Sequence, residues 1–181
     1  MKMKKGDFIK FVVILFLAFP NLMNAQKETS TAQFSDEDLF FKRTNLVISN
    51  AEKSLEIYRD ILGFSIFSRK KSAPDSYSYP VFKIPKEAEI SFITLNSPTQ
   101  ERTLALTEVK GIELPKPGVP IMTAAVIKVG NLKKVIEKIE ALGLEITEPR
   151  RAKNHEFYFV EQAFIDYDGH LIVLYELENL K

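Results

Sequence analysis

The chain has 181 residues, 45% hydrophobic and 27% charged, with 7 Gly and 9 Pro; this supplies an ordinary buried core and excludes collagen or wholesale disorder. Its formal charge of +1 comes from 25 Lys plus Arg against 24 Asp plus Glu, with no basic block after the first ten residues, so no nucleic-acid partner is expected. With no Cys there are no disulfides, thiolate metal sites, cysteine nucleophiles or lipoprotein anchors, and His155 and His170 are the two imidazoles.

Residues 1–25 read as a secretory signal peptide. Lys2, Lys4, Lys5 and Lys10 precede the apolar run Phe11–Phe19, and a short small and polar stretch leads to Ala25, where cleavage is expected. At about 1.5 Å per residue that run covers less than half of a ~30 Å hydrocarbon core, so no stable membrane span is expected after cleavage. The exported chain would be periplasmic or secreted, its charge moved from +1 to −2 by the loss of four Lys and one Asp. The alternative is an uncleaved, membrane-associated tail on a cytoplasmic protein. Residues 26–38 show no apolar period and read as a flexible spacer.

The remainder, 39–177, contains the same pattern twice. Thr44–Ser49 alternates as a half-buried strand, Asn50 is a helix cap, Ala51, Leu55, Tyr58 and Leu62 form a helical stripe, and Gly63 stops it. Ala124–Val129, Gly130-Asn131, the stripe Leu132, Val135, Ile136, Ile139 and Leu142, and Gly143 repeat that order. Asn50 and Asn131 are 81 positions apart and Gly63 and Gly143 are 80 apart, so the second helix has lost one residue.

Strands are expected at Phe64–Lys70, Glu89–Leu95 and Arg102–Val109 in the first half, with a polar, Tyr-rich excursion through Pro74 and Pro80. The second half repeats them at Leu144–Thr147, Phe157–Ile165 and His170–Glu176. Lys110–Ile121, with three Pro and two Gly, is a linker between halves 39–109 and 122–177. The expected fold is α/β (α+β): two βαβββ half-domains whose mixed sheet curves around a cleft.

Thr44–Phe64, with Asn50, Tyr58, Arg59-Asp60 and Leu62-Gly63-Phe64, resembles the strand–helix opening of the vicinal oxygen chelate superfamily, the glyoxalase, bleomycin-resistance and extradiol dioxygenase group. The run Asp166-Tyr167-Asp168-Gly169-His170-Leu171-Ile172 is similar to that group's closing turn and strand. In metal-using members the resemblance implies four inward ligands, usually His, Glu or Gln, two from each half. Counted from Asn50, Asn131 and Asp166, and from the alignment of the two halves' endings, those positions are Arg43, Ala124, Val173 and Ala105. Ala and Val offer no lone pair and a guanidinium is itself a cation, so no metal and no other cofactor is expected. Phe92, the alternative to Ala105, is apolar too.

Arg43 stands where a ligand would be and reads either as an anchor for a carboxylate or phosphate or as a surface arginine at the sheet end. Asn45 shares its face. Lys128 interrupts an apolar strand as a pocket cation or a strand-edge marker, and Tyr175, Thr107, Phe159 and Glu161 are wall residues by parity. Alternation points Glu108 and Glu176 away from the cleft, which favours a structural role. His170 is expected to serve the closing turn and His155 to be solvated. No phosphate loop, His-Glu-x-x-His or Gly-x-Ser-x-Gly occurs.

The expected function is an exported small-molecule-binding protein of the glyoxalase and bleomycin-resistance type, its ligand oriented by Arg43, Asn45, Lys128 and Tyr175 with no catalytic residue. The partners expected are that ligand and a second copy, should the chain form a homodimer. The alternative function is a lyase, isomerase or dioxygenase of the same superfamily with a displaced or absent metal. A partner-binding module whose halves fill their own cleft is a third.

Overall fold

The computed structural model describes residues 41–153 and 157–179. The first half runs β1 (Thr44–Ile48), α1 (Ala51–Leu55) continued by a π-helical turn (Glu56–Ile61), β2 (Ser65–Lys71), α2 (Ser78–Phe82), β3 (Glu89–Asn96) and β4 (Leu104–Lys110). The second half runs β5 (Ala124–Lys128), α3 (Leu132–Ala141), β6 (Arg150–Lys153), β7 (Phe157–Ile165) and β8 (Leu171–Asn179). Each half is a four-stranded mixed sheet, in the orders β1-β4-β3-β2 and β5-β8-β7-β6, with the first strand parallel to the last and the remaining pairs antiparallel. The duplication expected from the sequence is therefore the architecture. Among the described residues no helix is long and apolar enough to cross a membrane.

The one-residue difference between the helices has a structural cause. Leu62 N–H donates to Ile57 O (2.9 Å), five residues back, whereas α3 keeps the α-helical form throughout. A π turn holds one more residue than an α turn, so the extra residue of the first helix is absorbed there. Both helices are capped as expected: Asn50 Oδ1 accepts from Lys53 N–H (3.1 Å) and Asn131 Oδ1 from Lys134 N–H (2.8 Å).

Three elements differ from the expectation. Leu144–Thr147 is not a strand; it makes one backbone bridge to β7, Ile146 with Phe164, and side-chain bonds through Thr147, because Pro149 has no N–H to continue the ladder. The pairing with β7 is taken over by Arg150–Lys153. The excursion near Pro80 contains α2, whose Tyr79 is buried and donates its hydroxyl to Ala88 O (2.9 Å). Arg102 belongs to a turn: it adopts φ 53 and its N–H donates to Asn96 Oδ1 (2.8 Å), so β4 begins at Leu104.

One core joins the two halves. Leu55, Tyr58 and Leu106 from the first pack in the same cluster as Ile139, Phe164 and Leu174 from the second. Leu106, Phe164 and Leu174 lie on the helix-covered faces of the sheets, and Leu55, Tyr58 and Ile139 on the helical segments that cover them. The edge strands β1 and β5 pass each other in opposite directions: Leu46 and Val47 share a cavity wall with Thr123–Ala125, while Thr44 shares another with Val126–Lys128. The faces turned away from the helices make up the trough side of the molecule, and the two sheets are separate, without closing into one.

Candidate functional site

Strand alternation assigns the trough face. On the first sheet Asn45, Ala105, Thr94 and Ser68 form one row, and Val47, Thr107, Phe92 and Lys70 the next. On the second, Val126, Val173 and Ala163 form one row, and Lys128, Tyr175, Glu161 and Arg150 another. Arg43, one step before β1, lies with its guanidinium 5.9 Å from the centre of the Phe92 ring, which places it on the same face.

The polar groups of this face are partly tied. Thr107 donates its hydroxyl to Asn45 Oδ1 (3.0 Å), which leaves the Asn45 NH2 to donate elsewhere, and the hydroxyls of Ser68 and Thr94 bond each other at 2.8 Å. Among the described residues no ion pair ends on Arg43 or Lys128. Arg43, Asn45 and Lys128 therefore stand near one end of the trough as donors, with Tyr175 beside Lys128. Phe159 and Glu161 lie farther out on β7.

The four positions at which the resemblance implies metal ligands carry Arg43, Ala105, Ala124 and Val173. Ala105 is buried between Asn45 and Thr94, and Val173 lies between Val126 and Ala163. Among the described strand residues Glu161 is the one carboxylate on the trough face, and no His, Asp or Glu stands within its row. One carboxylate with neutral hydroxyls and two cations is not a donor set for a divalent ion. These residues do not fit the family's metal.

Glu108 and Glu176 point to the helix side and do the same work in each half. Glu108 Oε1 accepts from Ala51 N–H (3.0 Å) and Glu176 Oε2 from Leu132 N–H (2.7 Å), each at the first residue of the helix. A carboxylate there satisfies an orphan donor and meets the positive end of the helix dipole.

The closing turn ties the halves together. Buried Asp166 accepts with Oδ1 from the N–H groups of Asp168 (3.0 Å) and His170 (2.8 Å), and with Oδ2 from the Tyr58 hydroxyl (2.8 Å). Asp168 Oδ1 accepts from Ser49 N–H at 2.9 Å. His170 Nε2 lies 2.7 Å from Val47 O; a carbonyl only accepts, so this nitrogen carries the proton. Burial pushes the Tyr58 phenol well above the ordinary tyrosine value, and the Asp166 charge and hydrogen bond add to that. His155 lies outside the described residues.

Sequence reasoning missed a cavity of about 720 Å³ at the Val47 and Ala124 end of the trough. Val47, Phe82, Ile84, Ile112, Leu114 and Leu171 form its apolar wall, and Asp168 and His170 its polar edge. The available signal was the apolar content of a Pro-rich linker, where Ile112 and Leu114 are half-buried.

The comparisons agree with this architecture. A crystal structure of a glyoxalase family protein from Bacillus cereus is similar with a TM-score of 0.61 at 10% identity, over 80% of this chain and 99% of that one. A glyoxalase family protein from Enterococcus faecalis gives 0.52 at 18% identity, over 77% and 98%. The trypanothione-dependent glyoxalase I of Leishmania major gives 0.53 at 16% identity, over 76% and 86%. No curated protein matches the chain. The model of one family matches residues 41–174, which take in β1 to β7, all three helices, the closing turn and the first four residues of β8. The chain thus belongs to the Glyoxalase/Bleomycin resistance protein/Dioxygenase superfamily.

Proposed function

We propose that this is an exported protein that binds and sequesters a small molecule in its trough without a metal and without transforming it. One observation carries the reading. The face that holds metal ligands in metal-using members presents Arg43, Ala105, Ala124 and Val173, with Arg43 and Lys128, which have no ion pair among the described residues, and the Asn45 NH2 as donors beside apolar side chains. Such a surface can orient a neutral or anionic ligand, and its residues at the ligand positions supply no donor set for a Lewis-acid metal. Tyr175, beside Lys128, adds an aromatic wall with a hydroxyl.

Equilibrium binding of a metabolite panel to the wild type and to Arg43→Ala tests this. The expected result is at least one ligand that binds the wild type and loses about tenfold or more in the variant, as removal of a charged hydrogen-bond partner does. Identical profiles would remove Arg43 from the site. Stoichiometric Zn, Ni, Mn or Fe in the purified folded protein would favour an enzyme instead. Export is tested by fractionation and N-terminal sequencing, with a mature chain beginning at Gln26 as the expected outcome.

A further inference from the structure

We infer that the ligand is an amphiphile: one apolar chain filling the cavity bounded by Val47 and Leu171, and an oxyanion head, carboxylate or phosphate, held by Arg43 and Lys128. This deepens the binding-protein reading and rests on it. At about 720 Å³ the cavity is of ligand size, and apolar side chains from four separate segments line it: Val47 of β1, Phe82 and Ile84 at the end of α2, Ile112 and Leu114 of the linker, and Leu171 of β8. An apolar chain gains there by leaving water, and a charged head would lose hydration against the apolar wall.

The same two strands that end at the cavity lead away from it to the cations. From Val47 to Arg43, one residue before β1, the backbone runs about 13 Å at 3.3 Å per residue, and the Arg43 guanidinium reaches back to the Phe92 ring. On β5, Ala124 lines the cavity, Val126 follows on the trough face at 65% exposure, and Lys128 comes next. Charge decides which end of the ligand goes where. Asp168 borders the cavity with one carboxylate oxygen bonded to Ser49 N–H and the other buried without a partner, which repels a second anion. Arg43 and Lys128, at the far end, have no carboxylate partner among the described residues. Lys83, at the cavity edge, is exposed as Lys128 is and is the competing cation; Lys83→Ala should leave the preference for an anionic head unchanged.

Titration of the full chain with butanoate, hexanoate, octanoate and decanoate, and with octyl phosphate and octanol, tests the inference. Each added methylene is expected to tighten binding about fourfold until the cavity is full. Octanoate or octyl phosphate should exceed octanol, and whichever of the two is tighter names the head. Leu114→Trp, and independently the surface-exposed Met122→Trp, should flatten the dependence on chain length by filling the cavity. Arg43→Ala with Lys128→Ala should abolish the preference over octanol and keep the methylene increment. If affinity does not grow with chain length while short anions still bind through Arg43, the amphiphile is overturned and the binding-protein reading stands. If neither chain length nor Arg43 matters to any ligand, both fall.

Discussion

Tyr58 and Asp166 are 108 positions apart and make a buried hydrogen bond of 2.8 Å between the halves. Replacing Tyr58 by Phe keeps the ring and leaves a carboxylate oxygen buried without its donor, a change that costs about 1–3 kcal/mol. Urea unfolding at neutral pH should show that loss. The sign of the pH effect follows from the raised phenol value. The protonated phenol is the form the fold holds, so its contribution is complete below the ordinary tyrosine pKa of about 10 and is lost as pH rises towards the folded-state value. The variant should therefore lack this part of the alkaline decline; superimposable alkaline limbs would show that Tyr58 is not its source. The helical stripe makes Tyr58 a core residue in the sequence, but nothing near it in the chain names Asp166 as its partner.

The elements repeat in a way the side chains explain. Each helix starts on an Asn cap and receives a Glu from the last strand of its own half, Glu108 for α1 and Glu176 for α3. Alternation sends these carboxylates to the helix side; which backbone N–H they meet depends on how the helix lies over the sheet. The linker is held by close approach. A Cβ on Gly169 would lie 2.0 Å from Pro117 Cγ, and Gly169 has φ +87, a conformation that costs a residue with a side chain about 1–2 kcal/mol. Gly169→Ala should lift the linker from the closing turn, lower the unfolding midpoint and speed amide exchange at Ile112–Leu114. Unchanged exchange there would mean that Pro117 does not hold the linker.

For the whole molecule, the composition of the trough face makes a thermodynamic prediction. A metal bound to the native state in thousandfold excess over its Kd stabilises it by about 4 kcal/mol. Zinc, nickel or manganese added to the folded chain should leave Tm unchanged, because the ligand positions carry Arg43, Ala105, Ala124 and Val173. A saturable rise in Tm reversed by chelation would contradict the metal-free reading. Joining the two sheets through one core of both helix-covered faces also implies a single unfolding transition for the halves, since neither retains its packing when the other melts.

By itself the sequence determined the duplicated order of strands and helices, both caps, both glycine stops and the direction of Glu108 and Glu176. These are local properties, set by periods of two and 3.6 residues and by side chains acting within a few positions of themselves. Only the tertiary structure decided that the extra residue of the first helix becomes a π turn, that β6 begins after Pro149, and that Tyr58 meets Asp166. It also decided that a linker which reads as a spacer walls a cavity with α2 and β8. Each of these depends on which distant segment fills the space beside it, and one-dimensional periodicity carries no information about that neighbour.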